Sequence, residues 1–585
     1  MAAVPLMATV PQAVAGVIRE RADVLFGLMG NGNAHLISEL TSTGFSFVTV
    51  RHESGAVAAA DAYFRASGRI GTATVTYGAG FTNTMTALAE AALARIPLVL
   101  VVGDAPSSGP RFFDVDQTGM AAAAGVETVR LDATDPSGQV REAYTRAERD
   151  RRPVVVAIPY DLVETPVETP VEASFGAPVE STTTDTHAPL PAGAGEAPSD
   201  DELAPIVAAL RGARRPLLVA GRGVVDSPGA PQALRDVADR LGALVGTSVM
   251  ARSVVGDEGD LGIVGGFGRL ERVQIMRQAD VVLVLGASMN PFQMRYGTVY
   301  GADATVMQVD VDPARRHERS DHFVVADTGT LLRALAGHFA LTPQENGRPD
   351  GGWRATQPIP PAPRLGAEDD GHTGLSALNG LAPDGRLDPR TMALALDNIL
   401  PPERVFVQDG GHFIGWVPLM CSVPDPRSHL FVGTAFQSIG LGFPSAVGAA
   451  AAQPDRTTVL VTGDGGGLMA LADLESFIRQ TRSGVVVVFN DAAYGAELHQ
   501  YAARGLDDQA MLIDEVDFAA VGRAFGAEGV KARDLQDLDA LRNWVARGSE
   551  GVFVLDLPIS QEIVAEYMAD SMAGAKPAPR PLPVS

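Results

Sequence analysis

Strand-length apolar runs alternate with helix-length segments through residues 1–160, the pattern of a doubly wound parallel sheet. The same pattern starts again at Pro216-Leu217-Leu218-Val219-Ala220-Gly221, includes 281–286 and 306–311, and fades after Phe339. A third unit runs from Asp388 to about Leu557. Between the units, residues 166–200 are rich in Pro, Thr, Ala and Gly, and residues 342–387 are dense in Pro, Gly and charge. Both stretches are expected to be linkers that cross the surface without forming a core. The expected fold class is therefore α/β, with three doubly wound parallel-sheet domains at 1–165, 201–341 and 388–565. A tail at 566–585, with Pro577, Pro579, Pro581 and Pro583, is expected to be mobile.

The length of 585 residues agrees with several cores rather than one. With 46% hydrophobic and 20% charged residues, the composition is that of an ordinary globular protein. The formal net charge of −24 argues against nucleic acid or an anionic membrane as partner. A single cysteine, Cys421, rules out an intrachain disulfide and fits a reducing compartment. The apolar runs fall far short of the ~20 residues that a bilayer requires. The N-terminal residues lack a basic leader. No membrane span and no signal peptide are expected, and the cytoplasm is the expected location.

The chemistry-bearing signal lies near the end. Val459-Leu460-Val461-Thr462 leads into Gly463-Asp464-Gly465-Gly466-Gly467, and Val485-Val486-Val487-Val488-Phe489 leads into Asn490-Asp491. Glycines after a buried strand let backbone N–H groups approach an anion at the following helix start. Asp491, 27 residues after Asp464, is returned by a parallel crossover to the same sheet edge. Two carboxylates then face one site. With a backbone carbonyl near Ala493, diphosphate oxygens and a water, they suit magnesium. A dinucleotide reading needs Gly-x-Gly-x-x-Gly, and Leu468 breaks that pattern.

Gly463-Asp464-Gly465 with Asn490-Asp491 resembles the motif of thiamine diphosphate enzymes of the acetohydroxyacid synthase and pyruvate decarboxylase-like superfamily. Arg51-His52-Glu53 before an Ala-rich helix, with Gly78-Ala79-Gly80-Phe81-Thr82-Asn83, resembles their pyrimidine-binding domain. The resemblance implies pyrimidine-binding, central and diphosphate-binding domains, with thiamine diphosphate and Mg2+ as cofactors. It makes Glu53 the acid that hydrogen-bonds N1′ of the aminopyrimidine, activating the thiazolium as an electron sink. In an apolar pocket that carboxyl would have a raised pKa. It implies cofactor contacts from Gly30 in the glycine loop 26–33, from Asn83, and from Gly411 and His412 in Asp409-Gly410-Gly411-His412. Further contacts are implied from Gln437 and the wedge Ile439, from Gly463, Asp464, Gly465 and Gly466, and from Asn490, Asp491 and Tyr494. The metal ligands implied are Asp464, Asp491 and Ala493.

Gln117 resembles the glutamine of the synthases and of benzaldehyde lyase, and Glu497 falls where pyruvate and indolepyruvate decarboxylases carry an active-site glutamate. Both join Glu53 as candidate catalytic residues. Three departures stand out. Asp491 replaces an asparagine, Met29 stands where benzaldehyde lyase has a catalytic histidine, and the region 111–117 lacks the paired histidines of the decarboxylases. Gly286-Ala287-Ser288-Met289-Asn290 replaces the Gly-Ala-Arg-Phe-Asp of FAD-binding relatives. The lost arginine argues against FAD and towards a vestigial nucleotide site.

The expected activity is decarboxylation of a 2-oxo acid, with pyruvate the expected donor, and transfer of the acyl unit to a carbonyl acceptor. A non-oxidative decarboxylase, a 2-hydroxyacyl lyase and a non-catalytic regulatory homologue remain as alternatives. The family's site lies between subunits, which implies at least a homodimer and points to a homotetramer.

Overall fold

The computed structural model describes residues 8–167, 198–256, 259–348, 350–363, 365 and 380–568. Its first sheet holds β1 (Val24–Gly27), β2 (Ser46–Thr49), β3 (Gly71–Val75), β4 (Leu98–Asp104), β5 (Glu127–Arg130) and β6 (Pro153–Pro159). The second holds β7 (Pro216–Ala220), β8 (Leu244–Thr247), β9 (Asp260–Ile263), β10 (Val281–Leu285), β11 (Thr305–Asp310) and β12 (His322–Val325). The third holds β13 (Arg404–Gln408), β14 (His429–Phe431), β15 (Thr457–Gly463), β16 (Ser483–Asn490), β17 (Glu528–Lys531) and β18 (Gly551–Pro558). All pairings in the three sheets are parallel. The α/β expectation with three doubly wound sheets holds.

The strands form because runs such as Val485-Val486-Val487-Val488 are β-branched and lie between two helical layers. All four valines are fully buried, and each contributes about 1.5 kcal/mol or more by leaving water. The outer sheets share one strand order, β2-β1-β3-β4-β6-β5 and β14-β13-β15-β16-β18-β17. In each, the order reverses beside the first strand, so a crevice opens beyond the carboxyl ends of β1 and β3, and of β13 and β15. The central order, β12-β11-β10-β7-β8-β9, places its reversal between β10 and β7.

The outer domains pack directly on each other through the Glu53–Ser67 and Gly442–Ala452 helices. Small residues make this seam. A Cβ on Gly448 would strike the Ala59 carbonyl. Val432 and Leu441 of the C-terminal domain enter the N-terminal core.

Two boundaries differ from expectation. Trp353, inside the expected linker 342–387, is 5% exposed and packs in the central core with Tyr300 and Val306. Arg354 N–H also donates to Gly242 O at 2.9 Å. The central domain therefore extends past 341, because one large aromatic outweighs the polar composition around it. The expected tail starts too early as well: Tyr567 and Met568 are buried in the C-terminal core. Tyr567 Oη donates to His412 O at 2.7 Å. The expected linker residues 168–197 and tail residues 569–585 lie outside the described residues.

Candidate active site

The reversal point of the C-terminal sheet gathers one residue from each of three strand ends. Asp409 follows β13, Asp464 follows β15, and Asp491 follows β16. Asp409 is buried and accepts from Gly410 N–H at 2.7 Å, Gly440 N–H at 2.9 Å and Thr462 Oγ1 at 3.3 Å. Burial raises its pKa, and the backbone donors partly oppose this. It pins the 437–440 turn to the end of the sheet. Ile439 rests there, half-buried, so close that a Cβ on Gly410 would lie 2.8 Å from Ile439 Cγ2. Gln437 is exposed at φ 61, with its Nε2 donating to Thr434 O at 2.7 Å.

Asp464 and Asp491 are both buried and within hydrogen-bonding reach of each other, and Ala493 N–H serves both carboxyls. Burial raises both pKa values, and the neighbouring carboxylate raises that of Asp491 further. Two carboxylates this close share a proton unless a cation replaces it. Asp464 Oδ2 is buried without a hydrogen-bond partner, an orphaned acceptor that a cation would satisfy. Ala492 takes φ 58 to turn the chain there, at a cost of about 1–2 kcal/mol. Gly495 admits the Asp491 carboxylate, which a Cβ would strike. Among the described residues no cluster of three acidic, histidine or cysteine side chains could hold a metal. Further ligands would have to be backbone oxygen, diphosphate oxygen or water, and with hard oxygen donors throughout the set fits magnesium.

The N-terminal domain offers its own reversal-point loops. Glu53 opens its helix, half-buried, and its Oε2 accepts from Asn83 Nδ2 at 3.0 Å. Gly30 N–H donates to Asn33 Oδ1 at 2.9 Å, and a Cβ on Gly30 would lie 2.6 Å from Thr76 Cβ. The strand end before Glu53 is gripped by the Ala472–Gln480 helix of the C-terminal domain. Asp473 Oδ1 accepts from Arg51 N–H at 2.7 Å, Glu475 takes the Arg51 guanidinium through both oxygens, and Gln480 Nε2 donates to Thr49 O at 2.5 Å.

Three family models match the chain: the N-terminal thiamine pyrophosphate-binding domain over residues 8–120, the central domain over 203–335, and the C-terminal thiamine pyrophosphate-binding domain over 409–557. The chain is a thiamine pyrophosphate enzyme. It is 28% identical to sulfoacetaldehyde acetyltransferase of Rhodobacter capsulatus, over 97% of this chain and 98% of that relative. It is 27% identical to 2-hydroxyacyl-CoA lyase 2 of Caenorhabditis elegans, over 83% and 78%. It is also 27% identical to the acetolactate synthase large subunit of Parasynechococcus marenigrum, over 90% and 85%. In fold it resembles the thiamine diphosphate-dependent 4-hydroxybenzoylformate decarboxylase of Rhodococcus jostii RHA1, with a TM-score of 0.75 at 20% identity, covering 94% of this chain and 99% of that one.

In this thiamine pyrophosphate enzyme several anticipated residues have structural duties. Gln117 is 5% exposed; its Oε1 accepts from Gly78 N–H at 2.6 Å and its Nε2 donates to Gly103 O at 2.9 Å. Both ends of the amide are therefore engaged with backbone. His412 is buried as well. It is 3% exposed, its Nε2 accepts from Ala565 N–H at 3.0 Å, and burial beside His499 pushes its pKa down to about 3. That imidazole faces the core, so the backbone of Gly411 and His412 is what can meet a diphosphate. Asn490 Nδ2 donates to Val516 O and to Asp556 Oδ1, both at 3.0 Å, and braces the loop after β16. Tyr494 packs on Gly465, where a Cβ would lie 2.7 Å from Tyr494 Cε1. A Cβ on Gly463 would lie 2.9 Å from Phe413 Cε1, and one on Gly466 2.7 Å from Asp409 Oδ2. Glu497 is exposed on the first turn of the Gly495–Tyr501 helix. Sequence reasoning missed Asp409 and Asp473; an aspartate before Gly410-Gly411 at a strand end was the available signal for the first.

The central sheet has the strand order of dinucleotide-binding domains, yet its crevice is shut. Gly221 N–H donates to Leu285 O at 2.8 Å and Gly223 N–H to Gly286 O at 3.1 Å. A Cβ on Gly223 would lie 2.7 Å from Gly286 Cα. A separate cavity of about 10 Å3, lined by Val219, Val284, Met289 and Tyr300 among others, holds no more than one water. These residues do not fit a dinucleotide diphosphate between β7 and β10. Among the described residues, no helix is long and apolar enough to cross a membrane.

Proposed function

We propose that this enzyme decarboxylates a 2-oxo acid, with pyruvate the first donor to test, and passes the acyl unit to a carbonyl acceptor. The observation that carries this reading is the buried Asp464 and Asp491 pair with its orphaned oxygen, at the reversal point of a diphosphate-binding sheet. Asp464, Asp491 and the Ala493 carbonyl would hold Mg2+, and Gly411, Gly463, Gly465 and Gly466 would admit the diphosphate. Gln437 and Ile439 would meet the aminopyrimidine. When bound, thiamine diphosphate supplies a thiazolium electron sink for breaking and making the bond next to a carbonyl. Glu53, oriented by Asn83, would hold and move the proton at N1′.

Transfer is favoured over release of free aldehyde because the 111–117 region lacks the paired histidines of the decarboxylases, and apolar Met29 and Phe112 are exposed at 57% and 99%. Those apolar side chains also support a second copy of the chain over the site, as a homodimer or a homotetramer. Glu497 supports the second reading, a non-oxidative decarboxylase in which it donates the proton. The sulfoacetaldehyde acetyltransferase, acetolactate synthase and lyase relatives support the thiamine-dependent core of the proposal and leave the acceptor to experiment.

Purified protein with thiamine diphosphate, Mg2+ and pyruvate, with and without an added aldehyde, should give acetolactate, acetoin or a mixed ketol by NMR. Acetaldehyde alone would move the assignment to the decarboxylase. No turnover with the cofactor bound would remove pyruvate as donor. FAD is not expected as a cofactor, given the shut central crevice. The purified enzyme should be colourless, and added FAD should leave its melting temperature unchanged; a bound flavin at one per chain would overturn this.

A further inference from the structure

One charged cluster lies outside the residues assigned above. Arg65 on the Glu53–Ser67 helix donates Nε and Nη2 to the two oxygens of Asp61 and Nη2 also to Glu90 Oε1 at 3.2 Å, and all three side chains are almost fully buried. The second oxygen of Glu90 leaves the cluster. Glu90 Oε2 accepts from Phe436 N–H at 2.7 Å, and Gly433 N–H also serves this carboxylate. Glu90 belongs to the N-terminal domain, on the Met85–Ala94 helix, whereas Gly433 and Phe436 belong to the C-terminal domain, in the loop that leads to Gln437 and Ile439.

The C-terminal end of that loop is held by Asp409 through Gly440 N–H, and its first half is held by Glu90. Residues 434–437 are exposed, Gly433 and Gln437 take φ 108 and 61, and Ser438 N–H closes the turn on Gly433 O at 2.9 Å. Val432 and Leu441 anchor its two ends in the N-terminal core. The strained turn between them, with residues 434–437 exposed, is held by Glu90 through Phe436 N–H at its start and by Asp409 through Gly440 N–H at its end. A carboxylate accepting backbone N–H groups in a low-dielectric setting makes stronger bonds than a neutral acceptor, and Arg65 and Asp61 fix its rotamer.

We propose that Glu90 is a positioning residue for the aminopyrimidine half of the cofactor site, holding the 433–438 turn so that Gln437 and Ile439 stand where the cofactor ring needs them. The proposal rests on the thiamine diphosphate reading given above. The two halves of the site are held differently: Asp464 and Asp491 belong to the diphosphate half alone, Asp409 braces both halves through Gly410 and Gly440, and Glu90 holds only the turn.

The test is titration of thiamine diphosphate and, separately, inorganic diphosphate into the full-length enzyme with Mg2+, by calorimetry, for the wild type and Glu90→Gln. Wild-type binding of thiamine diphosphate tests the cofactor reading by itself. For Glu90→Gln, thiamine diphosphate should bind about 10-fold or more weakly, the loss typical of removing a supporting contact, while inorganic diphosphate binds within about twofold of wild type. Equal weakening of both ligands, or no weakening of either, would overturn the role. Should Glu90→Gln fail to fold, Glu90→Asp carries the same comparison, since it keeps the charge beside Arg65 and withdraws it from the loop by one methylene.

Discussion

Glu53→Gln is expected to lower turnover about 10²- to 10⁴-fold while leaving Mg2+-dependent binding of thiamine diphosphate close to wild type. The geometry permits this separation. Glu53 receives its hydrogen bond from Asn83 Nδ2, and a glutamine oxygen can accept the same bond, so the side chain keeps its place. What it loses is a group able to take and return a proton. Exchange of the thiazolium C2 proton with deuterium, followed by NMR, reads that loss directly. Wild-type exchange in the variant would remove Glu53 from the proposed role.

The second large effect concerns pH. Burial holds the Asp464 and Asp491 carboxyls above the ordinary carboxylate range, and their proximity makes them share a proton. A magnesium ion needs both as carboxylates and must displace that proton. Metal-dependent cofactor affinity should therefore rise with pH, by up to about tenfold per unit while one proton is released, and level off once the pair is fully ionised. In Asp491→Asn the oxygen ligand remains and the proton held through Asp491 is gone, while burial still keeps Asp464 raised, to about 6. The affinity should then depend on pH only through Asp464 and be nearly flat above that range, where the wild type still rises. Titration of both proteins with thiamine diphosphate and Mg2+ at several pH values decides the matter, and parallel slopes would show that Asp491 is not the group involved.

Much of this arrangement could be read in the chain. The three parallel sheets were legible because strands buried on both faces must be continuous β-branched runs, as in Val485-Val486-Val487-Val488 and its partner Val459-Leu460-Val461. The Asp464 and Asp491 pairing was legible because strand ends in a parallel sheet lie side by side: β15 pairs with β16 and brings Gly463 opposite Phe489. Side-chain direction was not legible. Gln117 and His412 sit in recognisable motifs, yet each turns inward to a backbone partner supplied by another segment. The Asp473 contact to Arg51 spans 422 residues of sequence, and no local pattern encodes it. Trp353 and Tyr567 were hidden for another reason: single aromatics in polar or Pro-rich surroundings find pockets that only the folded domains create.

The seam between the outer domains bears on how such a chain can be recombined. The Gly448 backbone lies against the Ala59 carbonyl with no room for a methyl group, so the two helices meet along surfaces shaped for each other. An N-terminal domain grafted from a relative would have to match that contour, and also the Asp473 and Gln480 grip on the strand leading to Glu53. Chimeras joined in the 342–387 stretch would cut neither contact but would mix mismatched halves across both. Exchange of the central domain alone touches neither, but the incoming domain would have to supply the equivalents of Ile263 and Phe267, which enter the C-terminal core, and of Asp312, which pairs with Arg95.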